Sequence, residues 1–168
     1  YDNNKMANTV DAEYYARLNV DKSSPQLNFA TQYKAAPGST FKIVSATAGL
    51  MENVINLQTK VNCVGTFTEI TPSPRCWKIS GHGYENVTSA IKDSCNYFFY
   101  NVGYQLATSS GSYNEEAGLE TLSKYADLYG LTDKSGVEIG EYAPDVSTKD
   151  PVRSAIGQGS NSYTTVGL

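Results

Sequence analysis

Pro37-Gly38-Ser39-Thr40-Phe41-Lys42 opens the segment on which the reading of this chain turns. The Pro-Gly pair is a strong local breaker. After it Phe41, Ile43, Val44, Ala46, Ala48, Leu50 and Met51 form a compact apolar run, uninterrupted until Gly49. That pattern predicts a mostly buried helix over 39–52. Ser39 and Lys42 are three residues apart at its start and so share one face. If Ser39 were only a cap, a capping box would place Glu or Gln where Lys42 stands. A cation in the first turn instead opposes the helix dipole by roughly 0.3–1 kcal/mol. A broken local rule of this kind is expected more often at functional sites. Burial among Phe41, Ile43 and Val44 would lower the Lys42 pKa and make it a base. The helix start would favour the oxyanion that a serine nucleophile creates.

Working outward, residues 1–36 are polar and rich in turn formers, and Tyr1-Asp2-Asn3-Asn4-Lys5 does not read as a signal peptide. Residues 60–80 are expected to form a hairpin about Thr71-Pro72-Ser73-Pro74, with Trp77 anchoring it to the core. Gly81-His82-Gly83 reads as a loop, and Thr88 as the N-cap of a long packed helix over 88–107. Residues 108–114 are a polar linker. Leu119, Leu122, Tyr125, Ala126 and Tyr129 then mark an amphipathic helix over 115–129, ended by Gly130. Residues 131–163 read as loop. No repeat and no second domain is visible, so 1–168 is read as one partial domain of mostly helix and loop.

Composition narrows the chemistry. The 168 residues carry Lys+Arg 13 against Asp+Glu 17, a net charge of −4, which gives no basic footprint for nucleic acid. Hydrophobic residues at 40% suffice for a core, and no apolar run is long enough to span a membrane. With His82 the single histidine, imidazole catalysis would have to use that residue. Cys63, Cys76 and Cys95 include no C-x-x-C pair. Across an oxidising compartment Cys63 and Cys76 are candidates for a disulfide, and Cys95 reads as a buried thiol. A zinc module built from Cys63, Cys76 and His82 would be a poor site at those separations. No metal or cofactor is assigned.

Ser94-Cys95-Asn96, just ahead of Tyr97-Phe98-Phe99-Tyr100, supplies a second chemical element. A serine there can relay a proton, and an Asn amide can hold a substrate carbonyl or the lysine. Each short motif has a decoy: Ser89-Ala90-Ile91-Lys92 repeats S-x-x-K, and Ser112-Tyr113-Asn114 repeats S-x-N. The pairing decides. S-x-x-K followed by S-x-N resembles the penicillin-binding proteins and serine β-lactamases. Pro37 to Lys42 looks like the nucleophile block of the class B transpeptidases. Gly81-His82-Gly83 with Ala90-Ile91 and Ser94 to Phe99 resembles the middle block. Ala155-Ile156-Gly157-Gln158-Gly159 resembles the block that precedes the third motif.

That resemblance implies a helix-dominated part of the mixed α/β penicillin-binding protein transpeptidase fold, the nucleophile helix plus the helical subdomain, with the central antiparallel sheet largely missing. It implies Ser39 as acyl-accepting nucleophile, Lys42 as base, Ser94 as proton relay, and Asn96 as the residue holding the peptide stem. The implied function is peptidoglycan D,D-transpeptidation on a D-Ala-D-Ala stem peptide, with β-lactam antibiotics as trapping ligands. The parent would be anchored at the extracytoplasmic face of the bacterial membrane beside a glycosyltransferase. The family's third motif, K-T-G, does not occur in these residues. The chain is therefore expected to be a piece of a longer enzyme, inactive or very slow alone, since losing one oxyanion donor costs about 100- to 1,000-fold. Two alternatives stand beside this: a β-lactam sensor or β-lactamase-like acyl-serine protein, and a non-catalytic binding module of the same fold.

Overall fold

The computed structural model describes residues 2, 5 and 11–168. Tyr1, Asn3, Asn4 and residues 6–10 lie outside them, and with them most of the opening stretch read as unlike a signal peptide. Helix α1 (Ala12–Val20) starts at Asp11, whose side chain accepts from the Tyr14 N–H. It is followed by the short α2 (Phe29–Gln32) and strand β1 (Lys34–Ala35). This corrects the reading of 1–36 as turns. Leu18 is the residue α1 buries, so the segment carries almost no apolar periodicity.

The helix expected at 39–52 is present with a tighter start: a 3₁₀ turn over Gly38–Phe41 runs into α3 (Lys42–Met51). Strand β2 (Val61–Cys63) pairs antiparallel with β3 (Gly83–Glu85), in the register Val61↔Glu85, Asn62↔Tyr84 and Cys63↔Gly83. The hairpin predicted within 60–80 is thus wider than expected, and a single bridge, Thr66↔Arg75, is what joins the two sides inside it. Trp77 does not anchor it to the core; its side chain lies 62% exposed.

The expected helix 88–107 is two helices, α4 (Val87–Lys92) and α5 (Asn96–Thr108). Asn86, not Thr88, caps α4, in a reciprocal capping box with Ser89. Apolar spacing runs through the junction, which is why sequence periodicity did not reveal it. Helix α6 (Glu115–Leu128) begins at Asn114, whose side chain accepts from the Ala117 N–H, and Gly130 beyond it adopts φ +73°. The stretch read as loop contains α7 (Pro151–Ser154) and β4 (Tyr163–Thr164), which pairs with β1.

Helix α5 is the centre of the packing, contacting α3, α6 and α7. Phe98, Phe99, Val102 and Leu106 fill the core with Phe41 of the 3₁₀ turn and Val44 of α3. Burying each such side chain contributes about 1.5–3 kcal/mol. Among the described residues the sheets are two small antiparallel pairs, in keeping with the helix-dominated expectation.

Candidate active site

Two chain features meet at one point: the first turn leading into α3, which carries Ser39 and Lys42, and the α4–α5 break, which carries Ser94 and Asn96. Ser94 occupies the left-handed region at φ +50°, a conformation unusual for a residue with a Cβ. That turn separates α4 from α5 and brings the Ser94 side chain and carbonyl towards α3. Lys42 Nζ donates to Ser94 O at 2.8 Å, to Ser94 Oγ at 3.0 Å and to Asn96 Oδ1 at 2.7 Å. Those three contacts use every proton of an ammonium. Ser94 Oγ in turn donates to Ser39 Oγ at 3.0 Å. All four residues predicted for the site are therefore joined in one hydrogen-bonded chain.

Lys42 is 2% exposed, with the Phe99 ring 5.7 Å from its ammonium. Burial is the main cause that brings its pKa down to about 8, against an opposing pull from the Cys76 and Cys95 thiols. Ser39, at the exposed end of the chain, faces solvent. A buried, lowered-pKa amine connected through one hydroxyl to an exposed serine is the arrangement nucleophile activation requires.

The third block braces this turn from below. Gly38 N donates to Gly157 O at 3.1 Å, and Ser45 Oγ donates to Ala155 O at 2.7 Å. Gly157 has φ +72°, and a Cβ there would stand 2.1 Å from Gly38 O. Only glycine permits so close a backbone approach. Trp77 supplies a contact that sequence reasoning missed: its indole N–H reaches the carbonyls of Asp93 at 3.2 Å and Ser94 at 3.0 Å. Nothing in the linear pattern signals it, because Trp77 and Ser94 meet only through the wide β2–β3 loop.

The decoys separate cleanly. Ser89 is absorbed in the α4 cap and donates to the Glu85 carboxylate. Lys92 is exposed and lies 3.8 Å from Asp93. Asn114 of the second S-x-N caps α6. One triplet corrects, at the level of spelling, the expectation of a missing third motif: Lys134-Ser135-Gly136 is a K-S-G. It precedes the Gly157 block instead of following it, all three residues are exposed outside any strand, and Ser135 is tied to Glu141.

Behind the α4–α5 break lies a second cluster. The ligand atoms of Cys63, Cys76, His82 and Cys95 all fall within 4.8 Å of one another. His82 Nδ1 is 3.5 Å from Cys63 Sγ and 3.6 Å from Cys76 Sγ, while His82 Nε2 is buried without a partner. All three thiols are free, so no Cys63–Cys76 disulfide is formed. Burial pushes the Cys95 thiol up. Three sulfurs and one imidazole are a donor set suited to a tetrahedral soft cation such as zinc. Cys63, Cys76 and His82 alone would make a poor site, and tertiary structure supplies Cys95 as the fourth donor.

The chain is similar to known proteins over its whole length. Residues 1–168 match the family described as penicillin binding protein transpeptidase domain. The chain is 32% identical over 153 residues to the peptidoglycan D,D-transpeptidase MrdA of Haemophilus influenzae, covering 89% of this chain and 22% of that protein. It therefore spans about a fifth of the length of the curated relatives it matches. Its structure superposes on the penicillin-binding protein PBP2 of Helicobacter pylori, solved in complex with MreC, with a TM-score of 0.86 and 25% identity over 100% of this chain and 33% of that one. It is likewise similar to a chain of a peptidoglycan synthase complex that coordinates polymerization and crosslinking, with a TM-score of 0.84 and 27% identity over 99% of this chain and 29% of that one.

Proposed function

The chain belongs to the penicillin-binding protein transpeptidase domain family, and on that premise we propose that it provides the nucleophile and proton relay of a serine-type peptidoglycan D,D-transpeptidase. The observation that carries the reading is the unbroken path Ser39 Oγ–Ser94 Oγ–Lys42 Nζ, with 3.0 Å at each step. With Lys42 protonated, its ammonium donates to Ser94, and Ser94 donates outward to Ser39. Loss of one proton from Lys42 reverses the path. Neutral Nζ keeps two donor contacts, to Ser94 O and Asn96 Oδ1, and its lone pair faces Ser94 Oγ–H.

In that state Ser39 Oγ attacks the carbonyl of the penultimate D-alanine of a stem peptide. Its proton passes to Ser94 Oγ, while the Ser94 proton passes to Lys42 Nζ. The tetrahedral adduct collapses by breaking the C–N bond, and the departing D-alanine amine takes a proton back through Ser94. An amine from a second stem then attacks the acyl-serine and forms the crosslink. A β-lactam amide opens by the same first step and remains on Ser39. In this reading Asn96, which accepts a hydrogen bond from Lys42, also holds the incoming peptide.

The parent is proposed to work at the extracytoplasmic membrane face in company with a peptidoglycan polymerase, on the strength of its resemblance to the synthase complex. No helix among the described residues is long and apolar enough to cross a membrane. The test is covalent labelling of the parent protein by a fluorescent penicillin. Ser39→Ala should abolish the label, and Ser89→Ala should keep it while lowering stability by about 0.5–1.5 kcal/mol through the lost Asn86 N–H to Ser89 Oγ bond of the capping box. Labelling that survives in Ser39→Ala and vanishes in Ser89→Ala would assign the nucleophile to the other S-x-x-K.

A further inference from the structure

Helix α6 presents Glu115, Glu116, Leu119, Glu120 and Ser123 to a surface cavity of about 540 Å³, whose other wall is residues 146–148. These positions recur at the spacing of one helix face. At 1.5 Å per residue the stripe runs for about 12 Å. A second cavity, of about 470 Å³, also has Glu115 in its wall and reaches to Tyr104, Tyr113 and Glu69. Glu115 thus stands where the two cavities adjoin, and its carboxylate is held there by the Asp150 N–H at 2.6 Å. Together they make one groove, from the middle of α6 across its N-terminus to the Tyr104–Tyr113 pair.

The walls are apolar and the rim is charged with one sign. Leu119 and Val146 line the first cavity, and Ile70, Pro72 and the two tyrosines line the second. Tyr113 stacks on Tyr104 with ring centroids 5.6 Å apart and is itself 43% exposed. Glu69, Glu115, Glu116 and Glu120 are exposed, and none of them forms an ion pair among the described residues. Arg153, the one cation lining the groove among the described residues, is already engaged: it pairs with Asp150 and donates to the Pro72 carbonyl. Lys149 lines neither cavity. Burial first, and then the Glu115 and Asp150 carboxylates, holds the Tyr113 hydroxyl above its ordinary pKa, so the negative field extends to the aromatic end.

We propose that this groove docks a short segment of a partner protein in which Lys or Arg alternates with apolar residues. The inference goes beyond transpeptidation and does not depend on it. Charge complementarity sets the sign: four carboxylates without a cation attract basic side chains and repel acidic ones. The apolar walls set the second requirement, because a ligand that is only charged leaves them wet. Spacing fits an extended segment. Glu116 and Glu120 are one helical turn apart, about 6 Å between Cβ atoms, and alternate residues of an extended peptide lie about 6.6 Å apart. A basic side chain at the far end meets the open face of Tyr113 in a cation–π contact. A second copy of this chain supplies no such segment. It carries a net charge of −4, and no two of its Lys and Arg are closer than three positions apart.

The experiment uses the parent protein and two labelled peptides of about six residues, long enough to cover the α6 stripe at about 3.3 Å per residue. One alternates Lys with Leu, the other Lys with Ser. Fluorescence anisotropy reads binding to the wild type and to the double variant Glu116→Gln, Glu120→Gln, whose substituted side chains are exposed. Thermal unfolding verifies that both proteins are folded. The Lys/Leu peptide should bind the wild type, bind the double variant at least about tenfold more weakly, and weaken as salt is raised. The Lys/Ser peptide should bind the wild type at least about tenfold more weakly than Lys/Leu. No binding to the wild type, as when another segment of the parent already fills the groove, overturns the proposal. Equal affinity for the double variant overturns it by putting the contact elsewhere, and equal affinity of the two peptides overturns it by showing a surface that selects charge alone. Acylation is not read in this test, so a failure of the transpeptidase reading is distinguished from a failure of this one.

Discussion

Lys42 should impose its own titration on acylation. Burial brings its pKa down to about 8 from 10.5. At pH 7 an amine of pKa about 8 is neutral in about one molecule in eleven, whereas at 10.5 the fraction is about one in three thousand. The environment therefore raises the population of free base about 300-fold at neutral pH. The sign follows: the reactive form is deprotonated, so the acylation rate of the parent protein should climb with pH below about 8, approaching tenfold per unit, and level off above it. Stopped-flow or quenched labelling with a fluorescent penicillin, between about pH 6 and 9, reads this profile. Lys42→Arg keeps a cation that does not deprotonate in this range. It should lose at least about 100-fold in acylation, the lower end of general-base contributions, and its profile should be flat. A wild-type rate that is flat from about pH 6 to 9, or near-normal acylation by Lys42→Arg, would show that the lysine is a structural cation and refute the relay.

Three further substitutions probe the supports of the site. Gly157→Ala forces a side chain into a left-handed backbone, at about 1–2 kcal/mol, and onto the Gly38 carbonyl. Displacement of the Ser39 turn should cut acylation by about 100-fold, measured alongside a lowered Tm. Trp77→Phe removes the indole N–H from the Ser94 carbonyl while the side chain stays largely outside the core. A stability loss of about 0.5–1.5 kcal/mol in denaturant titration, with slower acylation, is expected. Asn96→Ala deprives the Lys42 ammonium of its 2.7 Å acceptor, so the rise of acylation with pH should move to lower pH even as the plateau falls; a move to higher pH would contradict the assignment.

Sequence alone was enough for the helix that carries Lys42, because its signals are local: a Pro-Gly break, an apolar run and a cation in the first turn are all visible within Pro37 to Met51. It was also enough to pair Ser39/Lys42 with Ser94/Asn96 by motif order, and to set Ser89/Lys92 aside. Tertiary structure decided what periodicity averages over. The break at Ser94 is invisible because its apolar flanks, Ala90-Ile91 and Tyr97-Phe98, keep helical spacing through a residue that is left-handed in the fold, where Lys42 and Trp77 both donate to its carbonyl. The hairpin expected over 60–80 comes out wider because two-residue alternation fixes a face but not a partner, and Val61–Cys63 pairs with Gly83–Glu85. The thiol cluster was lost for the same reason. Spacing along the chain put Cys95 thirteen residues beyond His82, and only the folding of the α4–α5 break against β2 closes that gap to within 4.8 Å.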